Sequence, residues 1–116
     1  MAILTDLTWG QIANKLPDGA ITVGVDGKIM VDVGLVTELP AAALTDIGVI
    51  KFFSLLMTAA NKAQIDANKD QADGEKLTAF SPATIGTAAD GYITLTRPFV
   101  CRSELATATN IVGTNG

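Results

Sequence analysis

Three side chains come nearest to a chemical site: Asp66, Asn68 and Asp70, whose D-x-N-x-D spacing matches the opening of an EF-hand calcium loop. The match stops there. The sixth position of such a loop needs glycine for its sharp turn and holds Gln71, and the twelfth needs a bidentate glutamate and holds Leu77. A helix C-terminus also disfavours carboxylates. The three residues therefore read as a solvated helix end, and no metal or cofactor is expected. The single cysteine, Cys101, stands beside Arg102, which could lower a thiol pKa, but it lies in the apolar run Phe99-Val100-Cys101 and reads as a packing residue. The chain has no histidine. That absence removes Ser-His-Asp and Cys-His nucleophile systems together with the commonest metal ligand. No G-x-S-x-G, G-x-G-x-x-G or phosphate-loop pattern occurs, and Gly27, Gly74 and Gly91 read as turn residues. A non-enzymatic protein is expected.

The element that must organise the rest is a long central helix over 45–69, with Thr45 as N-cap and Asp46 at the positive end of its dipole. Val49, Leu56 and Ala63 recur in one column, Phe52 and Ala59 in a second, and Phe53, Ala60 and Ala67 in a third. This is the spacing of a buried stripe. The opposite strip of Lys51, Ser54, Thr58 and Asn61 is narrow, so the first half of the helix needs partners on two sides. Val49, Phe52, Phe53, Leu56 and Ala60 are expected against a sheet. After Ala60 the small and polar residues suit either solvent or a close neighbour. Asp46, Lys51 and Lys62 leave an uncharged run well short of the roughly 20 residues a membrane span needs.

Upstream, Thr8-Trp9-Gly10-Gln11 is a capping box opening a short helix over 8–16, with Trp9 as a core anchor. Residues 20–33 form a hairpin. A three-residue loop, Val25-Asp26-Gly27 with Gly27 left-handed, sets Val23 opposite Ile29 and Ile21 opposite Val31. Ile21, Val23, Ile29, Val31 and Val33 then share the core face, whereas a two-residue loop would mix apolar with charged positions. Downstream, strands are expected near 76–80 and 91–101, with Asp73-Gly74 and Asp90-Gly91 as turns and 84–91 as loop. Pro98 limits the last strand or holds it at an edge. The fold class is α+β: a small antiparallel sheet packed on one long helix, in a single domain over 1–116.

With 116 residues, 48% of them apolar and 17% charged, the chain is long enough for one core. A net charge of −4 with eight scattered basic residues argues against direct nucleic-acid binding. Met1 to Asp6 carries no basic segment of a secretory signal, and one cysteine excludes an internal disulfide, so synthesis in a reducing cytoplasm is expected. The two-sided apolar helix and the richness in threonine, alanine and glycine point to a structural subunit of a homo-oligomeric assembly. A bacteriophage virion accessory protein, such as one that decorates or cements a capsid, is the expected kind, without direct nucleic-acid or membrane contact. Expected interface residues are Ile47 and Leu55 on the flank of the long helix and Ile111 and Val112, the apolar anchors of the threonine-rich tail. The alternative is a small ligand-binding module with a pocket between helix and sheet near Trp9, Phe52, Phe53 and Tyr92.

Overall fold

The computed structural model describes residues 3–39 and 43–100, and these form an α+β structure with one long helix and two antiparallel β-hairpins. In chain order the elements are α1 (Trp9–Ala13), β1 (Ile21–Val23), β2 (Ile29–Val31), α2 (Val33–Thr37), α3 (Val49–Asn68), β3 (Thr84–Ala89) and β4 (Tyr92–Thr96).

Local sequence accounts for the first half. The Thr8 hydroxyl accepts from the Gln11 N–H at 3.2 Å while Gln11 Oε1 accepts from the Thr8 N–H at 2.7 Å, so the capping box is closed in both directions. β1 and β2 pair as Ile21 with Val31, Thr22 with Met30 and Val23 with Ile29. The three-residue loop is present. Gly27 has φ +81°, its N–H donates to the Gly24 carbonyl at 2.9 Å, and the Gly24 N–H donates to the Lys28 carbonyl at 2.7 Å. The expected core face of this hairpin is nevertheless open: Ile21 and Val31 are half-buried, but Val23 is 70% exposed and Ile29 is exposed too. Trp9 is likewise 45% exposed and no residue of α1 is fully buried, which corrects its reading as a core anchor.

Val33 continues not as strand but as the first residue of α2. Asp32 caps that helix by accepting the Leu35 N–H at 3.1 Å, and the Thr37 hydroxyl donates to the Val33 carbonyl at 2.8 Å. Glu38 ends it in the left-handed region at φ 58°, where its N–H closes on the Gly34 carbonyl. Val36 and Thr37 are thereby driven into the core against α3.

The long helix starts at Val49, three residues later than a Thr45 cap would place it. Asp46 is engaged locally: its Oδ2 accepts from the Ala43 N–H at 2.7 Å and its N–H donates to the Ala43 carbonyl at 3.1 Å, which makes a separate turn. Gly48 becomes the N-cap and offers no side-chain bond. The buried residues of α3 are Ala59, Ala60, Ala63 and Gln64, all in its second half. Val49 and Phe53, expected against a sheet, are exposed. The reason is size. Alanine lets α1 and α2 approach the helix backbone, whereas in the bulkier first half Val49, Ile50 and Phe53 stay exposed and Phe52 and 54–58 are only half-buried.

Downstream, 84–89 is strand β3 rather than loop, pairing with β4 as Thr84 with Thr96, Ile85 with Leu95, Ala88 with Ile93 and Ala89 with Tyr92. A bulge lies between Ile85 and Ala88. The two-residue turn Asp90-Gly91 has both residues left-handed, at φ 55° and 82°, the twist that suits a tight hairpin. Residues 76–80 make no strand of their own. Phe80 forms a single bridge to Phe99, their rings stacked at 5.3 Å, and α3 side chains bond the backbone of Leu77 and Phe80.

Candidate functional site

The features of this structure that could engage another molecule are apolar surfaces, and their placement follows from the thinness of the core. The buried apolar residues are Ala20, Val36, Ala59, Ala60, Ala63 and Leu77, and among the described residues none with a large side chain is below 2% exposure. Large apolar residues lie outside instead. On the first half of α3, Ile50 is 86% and Phe53 56% exposed. Beside them Val33, Leu44, Ile47, Val49, Phe52 and Phe53 line an apolar cleft of about 340 Å³, in which the Phe52 and Phe53 rings meet edge to face at 5.7 Å.

Ile47 is half-buried in this cleft. Leu55 is also half-buried, but around the helix from it, in a groove shared with Leu16, Pro17, Val36 and Ala59. The two expected interface residues are thus on different faces. Ile111 and Val112, like Cys101, lie outside the described residues. Of the four aromatic residues expected to share one pocket, Phe52 and Phe53 line the cleft, while Trp9 stands exposed at the start of α1 and Tyr92 exposed on β4.

A second cleft, of about 620 Å³, lies between the N-terminal segment, residues 76–80 and Phe99 with Val100. Its walls are held by backbone bonds from the Leu4 N–H to the Glu75 carbonyl and from the Val100 N–H to the Ala79 carbonyl, both 2.9 Å. Ile3, Phe99 and Val100 are exposed at its mouth.

Asp66 and Asn68 of the D-x-N-x-D run have structural partners. Asp66 forms ion pairs with Lys15 of the segment after α1 and, at 3.1 Å, with Lys69. The hydrogen bond from Lys15, and next that from Lys69, holds its carboxyl below the ordinary aspartate value of 3.8. Asn68 turns to the Leu77 backbone, donating from Nδ2 to its carbonyl and accepting its N–H at Oδ1, both at 2.8 Å. The side chains at 66 and 68 therefore join α3 to other segments rather than to a common centre. No helix among the described residues is long and apolar enough to cross a membrane.

β3, and with it the pairing that makes a hairpin of β3 and β4, is what sequence patterning missed. Ile85, Ala88, Ile93 and Leu95 share one face by their register, Thr84, Thr94, Thr96 and Tyr92 the other, and every residue of both strands is exposed. The alternation of Tyr92 to Thr96 was legible; Thr84 to Ala89, rich in small residues, carries no comparable signal. No protein-family model, curated protein or solved structure matches the chain.

Proposed function

We propose that the protein is a non-enzymatic structural subunit that assembles with copies of itself, and that its setting is a bacteriophage virion, as an accessory protein of the capsid-decorating or cementing kind. The observation that carries the assembly reading is the inversion of apolar residues. The interior is lined by alanine, while Ile50 and Phe53 on α3 and Ile85, Ile93 and Leu95 on the second hairpin face outward. Large apolar residues grouped outward on a helix flank and on one face of a hairpin mark places where another surface belongs. The threonine, alanine and glycine richness supports the virion setting, and the absence of histidine supports a role without catalysis.

Mass in solution by light scattering over a wide concentration range, with electron microscopy of the same samples, tests the assembly reading. Assembled species whose mass rises with concentration are expected, and a monomer at every concentration sinks it. The apolar cleft beside Phe52 and Phe53 favours the second reading, a small binding module. That reading gains if the chain is monomeric and an apolar ligand raises its melting temperature.

A further inference from the structure

We propose that β4 is the assembly edge: Tyr92–Thr96 pairs antiparallel with the same strand of a second copy, about a twofold axis at Thr94, joining two hairpins into one four-stranded sheet. The proposal rests on the assembly reading and assigns it a surface and a partner.

A two-stranded hairpin exposed on both sides is marginal in water, and three or more strands with a covered apolar face are needed for independent stability. Here β3 and β4 pack on each other, and among the described residues a tie to α3 lies at the base, where Arg97 Nε donates to Ser54 Oγ at 2.7 Å. Among the described residues neither edge has a further strand neighbour, and the two edges differ. β3 is interrupted by the bulge between Ile85 and Ala88, a device that turns an edge away from pairing. β4 is regular, has neither proline nor glycine, and carries no charged side chain that would block another strand.

The sequence of β4 also suits its own copy. Pairing centred on Thr94 sets Ile93 opposite the partner's Leu95 and Tyr92 opposite the partner's Thr96. Opposed residues of an antiparallel pair project to the same side, so the apolar faces of the two hairpins become one continuous face, with Ile85, Ile93 and Leu95 from each copy. Charge agrees with this register. Arg97 falls opposite the partner's Gly91, next to the partner's Asp90, and the twofold repeats this pair of opposite charges at the other end. The interior of the seam stays uncharged, so a net charge of −4 on each copy meets no like charge there.

The full chain is the material for the test, with light-scattering mass, circular dichroism and thiol cross-linking as readouts. Thr94→Lys puts two ammonium groups against each other at the axis, and should at least halve the assembled mass with the helical signal unchanged. In a Cys101→Ser background, Thr94→Cys should be cross-linked to a covalent dimer by a short bis-maleimide, and Thr87→Cys on the bulged strand should not. Should Thr94→Lys unfold the chain, the cross-linking pair decides. Retained mass in Thr94→Lys, no cross-link at position 94, or equal cross-linking at 87 and 94 each overturns the pairing and leaves assembly through another face intact. A wild-type monomer at every concentration overturns the assembly reading itself.

Discussion

Gln64 and Phe80 exchange two hydrogen bonds: the Phe80 N–H donates to Gln64 Oε1 at 2.9 Å, and Gln64 Nε2 donates to the Phe80 carbonyl at 3.0 Å. Asn68 and Leu77 repeat the arrangement one helical turn further on. Asn61 Nδ2 adds a bond to the Phe80 carbonyl at 2.8 Å. Side-chain amides on one face of α3 thus act as a strand would, satisfying the backbone of Leu77 and Phe80, which a strand neighbour would otherwise have to do. Gln64→Leu leaves the Phe80 N–H without its partner at a half-buried position, and should lower stability by about 1 kcal/mol in a urea titration with unchanged slope. An unchanged midpoint would show that the amide pairing contributes nothing net.

Ala63 is buried where α3 meets Gln11, Asn14 and Lys15 at the end of α1. At this buried site the added atoms of Ala63→Leu have to be taken up by shifts of α1 or by the small cleft beside it. A loss of about 1–3 kcal/mol is expected by denaturant unfolding, the range for overfilled cores. Ala67→Leu, on the same seam but only half-buried, should cost less. Equal costs would mean that close helix approach is not what the alanines provide.

Ile50 and Leu55 separate surface from packing. Ile50→Asp alters a nearly fully exposed residue outside the β4 seam, so stability should stay within about 0.5 kcal/mol and assembled mass should hold. Leu55→Asp sets a carboxylate among Leu16, Pro17 and Val36 and should destabilise the folded chain by several kcal/mol, read as a lowered melting temperature. If Leu55→Asp melts as wild type and only its mass drops, the groove belongs to the assembly instead.

Asp66 makes acid stability testable. Its folded-state pKa is depressed, first by the hydrogen bond from Lys15 and then by that from Lys69. The contribution is therefore fully present above the ordinary value of 3.8, and it is lost as pH falls below that value through the folded one. Wild type should melt above Asp66→Asn at neutral pH, by a small margin that salt reduces because the pair is largely solvated. The two curves should converge in the acid range. A margin that persists there would assign the effect to packing rather than charge.

What residue order alone determined is whatever closes within a few residues. The Thr8 and Gln11 capping box, the register and left-handed Gly27 of the first hairpin, and the Asp90-Gly91 turn each depend on backbone dihedrals and side chains near in sequence, and each forms as its sequence predicts. The α+β class and the presence of a long helix follow from periodicity over many residues. Tertiary structure decided the rest. Thr45 fails as a cap because Asp46 closes a turn on Ala43 first, and Val33 leaves the strand because Asp32 can cap a helix that then buries Val36 against α3. Burial itself was the least legible property. Periodicity tells which residues share a face, but only the packing partners tell whether that face is covered, and here small alanines admit the helices while Phe53 and Val23 are left outside.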